Sequence, residues 1–329
     1  MRVWAHFLVL GCFCISGKAL AYSNYQDFLQ GLRAETLSRG LDASLFDTAL
    51  KDQPEPIKKA IKKSKNQPEF SYTFNRYLKS MHAASRVNGG FKQLKDHALP
   101  LAAAEEKYGV PKEVITSLWG VESLYGKLMG DFPILPSLAT LAYQSHRKQF
   151  FREEFFRALK IVGEGHIGLE DFKGSWAGAM GQCQFMPSSF LNYATDGDGD
   201  GRKDIWQTPA DVVASAANYL KRRGWKEGES WGQRIVLTKY LPGDMKFNRH
   251  QLSQPTSVTA WQALGVIPTT GQKLPVGATQ ARLFLPEGPS QKAYLVYNNF
   301  NVIMKWNISS AFAFSVLTLA DKFKEGQPS

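Results

Sequence analysis

Along most of the chain, apolar residues recur three and four positions apart, which is the spacing of one buried face of a helix. This spacing predicts helices over Tyr25 to Gly40, Leu41 to Lys51 and Phe91 to Tyr108, separated by Gly-, Pro- and Lys-rich joints. From about residue 98 to 225 the pattern stays helical, but a glycine-rich loop and an acidic loop interrupt it. After Gly224-Trp225 the texture changes: Gly, Pro and Thr rise, and β-like runs stand at Ala281 to Leu285 and Ala293 to Lys305. A last helix is predicted from Ser309 to Lys322, carried by Ala311, Phe312, Phe314, Leu317 and Leu319. There is no fixed-period repeat and no low-complexity segment. The pattern predicts a mainly α fold with a helical region over 22–97, a core over 98–225 and a small C-terminal β element with a closing helix over 226–329.

The most informative predicted helix begins at Pro111, runs from Lys112 to Tyr125 and stops at Gly126. Its apolar stripe is Val114, Ile115, Leu118, Trp119, Val121 and Tyr125, and Glu122 falls within the same stripe. A buried carboxylate costs on the order of several kcal/mol unless it is paired or stays protonated. Desolvation raises its pKa, which lets a glutamic acid remain a proton donor near neutral pH. A glutamate at the stripe's edge, reaching water or a cationic partner, has the same spacing. Periodicity alone leaves both readings open.

Residues 173–190 read KGSWAGAMGQCQFMPSSF. Gly174, Gly178 and Gly181 permit close backbone approach, and Ser175, Gln182 and Gln184 alternate with Trp176 and Phe185. Hydroxyls and amides beside aromatic faces suit a neutral sugar, although the same residues suit a tight turn between helices. An acidic loop follows. Asp196, Asp198 and Asp200 occupy the first, third and fifth positions of an EF-hand-type loop, with Gly201 at the sixth. The carbonyl of Arg202 would be the ligand at the seventh position, and Asp204 falls at the ninth. Gln207 stands where a bidentate Glu is usual, and Asp211, opening the next helix, is the candidate replacement. Carboxylates this close repel unless a cation neutralises them, so a structural Ca²⁺ is expected here.

Composition narrows the class. With 43% hydrophobic, 12% aromatic and 21% charged positions among 329 residues, the chain is of ordinary globular type, and disordered or disulfide-framework classes are excluded. No apolar run approaches the roughly 18 to 20 residues of a membrane span. The net charge of +11 suits a polyanionic partner: nucleic acid, an anionic membrane face or an acidic cell-wall polymer. The cluster Lys58, Lys59, Lys62, Lys63 and Lys65 reads as a solvated face.

The N-terminus places a basic Arg2 before an apolar stretch, Val3 to Cys14, and Ala19-Leu20-Ala21 forms a small-x-small cleavage site. Residues 1–21 are therefore read as a cleavable export signal, and the protein as periplasmic. Val9-Leu10-Gly11-Cys12 loosely matches a lipoprotein box, which keeps an outer-membrane lipoprotein anchored through Cys12 as the alternative. Cleavage after Ala21 removes Arg2 and Lys18 and no acid, lowering the charge from +11 to +9. It also leaves Cys183 as the only thiol, so neither an internal disulfide nor a cysteine zinc site is expected.

Taken together, these motifs resemble those of the membrane-bound lytic murein transglycosylase B family. Trp119-Gly120-Val121-Glu122-Ser123-Leu124-Tyr125-Gly126 is similar to its catalytic-glutamate motif, and residues 174–188 are similar to its sugar-binding loop, G-S-[FWY]-A-G-A-M-G-x-x-Q-F-M-P-S. The DxDxDG loop is similar to the family's single calcium site, and Ala217 to Leu220 and Asn298 to Ile303 extend the likeness. The resemblance covers roughly residues 70–320. It implies a lysozyme-like core with a groove for peptidoglycan glycan strands, and no organic cofactor. Glu122 would be the sole acid and base, and Ser175 and Gln184 would hydrogen-bond the substrate. Tyr77, Phe185, Tyr219 and Asn299 would line the groove, and Asp196, Asp198, Asp200, Arg202 and Asp211 would hold Ca²⁺. Two positions depart from the family: Gln182-Cys183 lies where it varies, and Trp306 stands where it often has Tyr.

The implied reaction is intramolecular. Glutamic acid protonates the bond between N-acetylmuramic acid and N-acetylglucosamine, then accepts the muramoyl C6 hydroxyl proton as a 1,6-anhydro ring closes. A hydrolytic muramidase and a non-catalytic, calcium-stabilised glycan-binding protein are the competing readings. Nucleic-acid binding rests on charge alone, with no recognition helix or RNA motif to support it. The protein is expected to act as a monomer, with cell-wall synthesis or turnover proteins as its further partners.

Overall fold

In the computed structural model residues 22–65, 73–269, 273–275, 279–288 and 292–326 are described, so the export signal expected over 1–21 lies outside the described residues. The first helices are α1 (Tyr25–Ser38) and α2 (Ala43–Leu50). Each is started by a side-chain cap: Asn24 accepts from Asp27 N at 2.9 Å, and Asp42 from Ser44 N at 2.7 Å. Helix α3 (Lys58–Lys65) carries the basic cluster, with Lys58, Lys59, Lys62 and Lys63 exposed. After α4 (Phe74–Met81), the helix predicted over 91 to 108 is two helices, α5 (Ala84–Asp96) and α6 (Ala98–Tyr108). They meet at His97, with φ −118°. Pro100, lacking an N–H, could not have continued a ladder across that joint.

Helix α7 (Lys112–Ser123) is the centre of the molecule, buried along nearly its whole length. It is shorter than predicted. Leu124 and Tyr125 turn left-handed, with φ 51° and 59°, before Gly126 at φ 84°. Two non-glycine residues in that region carry strain, and tertiary contacts hold them there. The Tyr125 hydroxyl donates to the Arg86 carbonyl at 2.7 Å, and the Arg86 guanidinium in turn donates to the Gly120 carbonyl at 2.8 Å. A Cβ at Gly120 would stand 2.4 Å from the Tyr125 hydroxyl, so only glycine admits the ring.

The short strands β1 (Phe132–Pro133) and β2 (Lys173–Gly174) pair antiparallel around α8 (Ile134–Gln144) and α9 (Lys148–Gly163). Two further helices, α10 (Pro187–Tyr193) and α11 (Pro209–Arg222), follow the glycine-rich and acidic loops. Then come β3 (Gly232–Leu237), β4 (Thr256–Ser257), α12 (Val258–Ala263), β5 (Val266–Pro268), β6 (Gln280–Phe284) and β7 (Ala293–Val296). These strands form one antiparallel sheet in the order β4-β6-β7-β3-β5. Ile235, Trp261, Leu283 and Leu295 are among the residues of its own apolar cluster.

The second β-like run ends at Val296, not at Lys305. The chain continues as α13 (Asn298–Trp306) and α14 (Ser310–Lys324), the latter capped by Ser309 accepting from Phe312 N at 3.2 Å. Phe300 and Ile303, three apart and fully buried, show the helical period that the apolar run concealed. Helix α7 packs against α14, α5, α11 and α6. One apolar cluster extends from Tyr25 to Phe323, with α7 inside it. Among the described residues no single helix is long and apolar enough to cross a membrane.

Helix α14 also borders a cleft of about 1000 Å³ shared with Val114, Trp231, Arg234 and Tyr294. There Asp321 accepts from Trp231 Nε1 at 3.0 Å, and burial pushes its carboxyl from 3.8 up to about 6. A folded-state pKa above the unfolded value favours the fold fully below about pH 3.8 and loses that advantage as pH rises through about 6. Asp321→Asn keeps an acceptor for the indole and removes the titration. We expect it to be stabilising by about 1–3 kcal/mol more at pH 7.5 than at pH 4, as read by urea denaturation. An equal effect at both pH values would contradict the assignment.

Candidate active site

Glu122 occupies the last turn of α7 and is half-buried. Its Oε1 accepts a 2.6 Å hydrogen bond from Trp306 Nε1 at the end of α13. Behind the carboxyl the wall is apolar, formed by Ile115, Leu118 and Trp119 of α7, Cys183, and Val212, Val213 and Ala216 of α11. Glu122 is the one carboxylate in that lining among the described residues. Cys183 is buried, and desolvation, reinforced by the nearby Glu122, pushes its thiol far above the ordinary range. Its Sγ donates to the Val212 carbonyl at 3.4 Å, the behaviour of a packing residue rather than a nucleophile.

The glycine-rich loop lies against the end of α7. Ser175 organises its first turn: its Oγ accepts from Ala179 N at 2.9 Å and Ala177 N at 3.3 Å, while its own N–H donates to Ala179 O at 2.7 Å. Met180 and Phe185 exchange backbone hydrogen bonds of 2.9 and 3.1 Å, closing a small hairpin around Gln184. Gln184 takes a left-handed φ of 49°, and its Nε2 donates to Gly181 O at 2.9 Å and Met129 O at 3.1 Å. At Gly181 a Cβ would stand 2.8 Å from the Ile205 carbonyl, so the loop can approach the acidic segment only through glycine.

Gln182 binds this loop to the glutamate helix, a role the sequence reading did not assign. Its Oε1 accepts from Trp119 Nε1 at 2.8 Å, and its Nε2 donates to the Trp206 carbonyl at 2.8 Å. Its backbone carbonyl accepts from Ser123 Oγ at 2.8 Å, and its N–H donates to Ile205 O at 2.8 Å. A sequence signal existed. Trp119 and Ser123 flank Glu122 on the buried face, and their polar tips need partners that an apolar core does not offer.

The other expected groove residues divide into two groups. Phe185 and Tyr219 are brought to Trp306, at ring-centroid distances of 5.1 and 4.6 Å. Phe185 is only 2% exposed, and the Tyr219 hydroxyl donates to the Lys305 carbonyl at 2.7 Å. Both therefore brace the indole from beneath. Asn299 is fully buried two turns before Trp306, at the start of a helix rather than in a β segment. Its Nδ2 donates to the carbonyls of Lys226 and Glu229, each at 2.8 Å, and its Oδ1 accepts from Lys226 N at 2.9 Å. It pins the 226–229 turn. Tyr77, on α4, is half-buried and close enough to Arg86 to act on it electrostatically.

In the acidic loop, carboxylate oxygens of Asp196, Asp198 and Asp211 lie within 4.8 Å of one another. Asp196 accepts from Gly201 N at 2.8 Å and Gly199 N at 2.6 Å, and these donors hold its carboxyl below the usual range. Burial, aided by Asp198 and Asp196, pushes Asp211 upward, although it accepts from Gly197 N at 2.7 Å. Asp200 accepts from Arg202 N at 2.7 Å, and the exposed Arg202 reaches the His166 carbonyl at 3.4 Å. Asp204 turns inward instead, accepting from Trp206 N and Gln207 N at 2.9 Å. An all-oxygen donor set with three convergent carboxylates fits a hard divalent cation.

The transglycosylase SLT domain family matches residues 24–321. The chain belongs to that family. Among its relatives, the membrane-bound lytic murein transglycosylase B of Escherichia coli (strain K12) is 32% identical over 247 residues, 74% of this chain and 65% of that protein. The chain thus aligns with just under two thirds of that relative's length. The SLT domain also superposes on SltB3 from Pseudomonas aeruginosa in complex with NAG-anhNAM-pentapeptide, with a TM-score of 0.83 and 38% identity, covering 92% of this chain and 80% of that one. The Escherichia coli lytic transglycosylase Slt35 in complex with calcium superposes with a TM-score of 0.79 and 29% identity, covering 93% and 95%. The lysozyme-like, mainly α architecture is that of these neighbours.

Gln182→Ala would leave the buried Trp119 N–H and Trp206 carbonyl unpaired. Each such loss costs about 1–3 kcal/mol, so we expect a destabilisation of about 2–6 kcal/mol. Thermal or urea unfolding checks this, and a change within about 0.5 kcal/mol would show that the bridge contributes nothing.

Proposed function

We propose that this SLT domain is a peptidoglycan lytic transglycosylase that cleaves the β-1,4 bond between N-acetylmuramic acid and N-acetylglucosamine without consuming water. The observation carrying this reading is the single carboxyl of Glu122, held by Trp306 against an apolar wall that contributes no second carboxylate among the described residues. Hydrolytic glycosidases commonly use two carboxylates flanking the scissile bond. One carboxyl is sufficient if the substrate supplies the second nucleophile. Glu122, protonated, gives its proton to the glycosidic oxygen, and the substrate's acetamido oxygen stabilises the cation that develops at C1. The resulting carboxylate takes the proton of the muramoyl C6 hydroxyl, whose oxygen closes on C1 as the 1,6-anhydro ring. Glu122 ends as it began, protonated. The anhydromuramoyl glycopeptide in the SltB3 complex is a product of this type, which supports the same chemistry here.

Within this proposal Ser175 and Gln184 are the polar contacts to the sugars near the cleaved bond, and Tyr77 completes the groove from α4. Phe185, Tyr219 and Asn299 shape it from beneath. The acidic loop holds a structural Ca²⁺ through Asp196, Asp198, Asp200, the Arg202 carbonyl and Asp211, as supported by the convergent triad and by the calcium complex of Slt35. The protein acts outside the cytoplasm as an exported monomer on peptidoglycan strands. Its basic surface steers it to their carboxylates. The name of the Escherichia coli relative supports an envelope location.

Two measurements test this. Mass spectrometry of soluble products from purified sacculi should find anhydromuramoyl ends, and Glu122→Gln should lower their release by at least about 10³-fold. Reducing-end muramic acid, one water heavier, would instead establish a hydrolase, and wild-type release by Glu122→Gln would establish a binding protein. In the second test, chelation should lower the melting temperature by several degrees, and Ca²⁺, not Mg²⁺, should restore it. A melting curve indifferent to both would remove the cation.

A further inference from the structure

We propose that Trp306 is a positioning residue that fixes which oxygen of Glu122 carries the catalytic proton. The inference rests on the acid/base role proposed for Glu122. An indole N–H donates and cannot accept. The 2.6 Å bond from Trp306 Nε1 therefore requires Oε1 to be an acceptor whenever it forms. In the protonated state this places the hydrogen preferentially on the other oxygen, Oε2, because the carbonyl oxygen is the stronger acceptor and Oε1 takes the indole N–H. A tyrosine hydroxyl in this place would donate or accept and tolerate a proton on either oxygen. Tryptophan, which can only donate, biases that choice, so the acid presents its proton from Oε2.

The indole is built to hold this position. Its ring packs against Phe185 at 5.1 Å and Tyr219 at 4.6 Å. Phe185 is itself fixed by the paired hydrogen bonds with Met180, and Tyr219 by its bond to the carbonyl of Lys305, the residue before Trp306. A donor fixed in advance needs no reorganisation when charge develops on its partner. After proton transfer the same N–H stabilises the carboxylate, which must then survive long enough to act as base. Trp306 therefore favours both the direction of donation and the ionised form that follows.

Trp306→Phe keeps the ring packing and removes the donor. The basic limb of kcat/KM reports loss of the acid form in the free enzyme. Without the N–H that favours the carboxylate, that limb should move up by about one to two pH units, and kcat at the optimum should fall about tenfold or more. Trp306→Tyr restores a donor and should return the limb toward that of wild type. Lowered activity with an unmoved limb in a folded Trp306→Phe would overturn the proposal, leaving Trp306 a wall. A readout independent of that variant's folding is the indole N–H resonance of Trp306 in the wild-type protein, assigned through Trp306→Tyr. It should titrate with the kinetic limb and stop titrating in Glu122→Gln. A resonance insensitive to pH would also overturn the proposal. Full activity in Glu122→Gln would instead defeat the acid/base reading itself, whatever Trp306 does.

Discussion

Glu122 lies on a helix face that otherwise belongs to the core, and the surrounding structure answers the cost of keeping it there. Helix α7 is packed against α5, α6, α11 and α14, so its orientation is fixed by apolar burial along almost its entire length. A half-buried carboxyl beside an apolar wall gives up part of its hydration. It must take a hydrogen bond where it stands. Trp306 gives such a bond from α13, an element far away in the chain, and Glu122 is the one carboxylate among the described residues of the apolar wall. The local chain shows the same constraint. Leu124 and Tyr125 accept left-handed backbone so that α7 ends abruptly beside the glutamate, and Tyr125 is anchored back to Arg86 in compensation.

Burial of α7 creates a second problem, because Trp119 and Ser123 carry polar tips into the same interior. Gln182 resolves both at once, with its side chain on Trp119 and its carbonyl on Ser123. The glycine-rich loop is thereby joined to the glutamate helix through hydrogen bonds and not merely laid against it. Buried polar networks of this sort are specific because leaving one member unpaired is costly. The loop's polar side chains therefore hold fixed positions relative to the carboxyl, and Ser175 and Gln184 inherit that precision from the turns they organise.

What could be read from the sequence depended on the range of the interaction. The glutamate stripe, the acidic spacing and the closing helix are local patterns, and each was legible. Asp211, the candidate replacement for Gln207, does converge with Asp196 and Asp198. The errors arose where tertiary contacts decide. Ala293 to Lys305 is apolar enough to pass for one strand, and only the burial of Phe300 and Ile303 against the core distinguishes α13. Phe185 and Asn299 carry the chemistry of sugar contacts, yet the fold uses one as a brace and the other to hold a turn. Trp306 stood out as a departure from the family, but nothing near it in sequence pointed to Glu122, 184 residues away. A hydrogen bond between such distant positions leaves no local trace.

The acidic loop joins this same chain of support. Asp211 opens α11, and its two carboxylate oxygens accept from the Gly197 and Asp204 backbones. Helix α11 then supplies Val212, Val213 and Ala216 to the wall behind Glu122 and, two turns on, Tyr219 to the brace beneath Trp306. Repulsion within the acidic triad therefore acts on the helix that supports the Glu122–Trp306 pair. A cation at the triad would relieve that repulsion at the helix's first turn, where the helix dipole already favours negative charge. The acidic loop and the Glu122–Trp306 pair are in this sense one construction. The acidic triad sits at the start of α11, α11 supports the indole, and the indole holds the Glu122 carboxyl by its hydrogen bond.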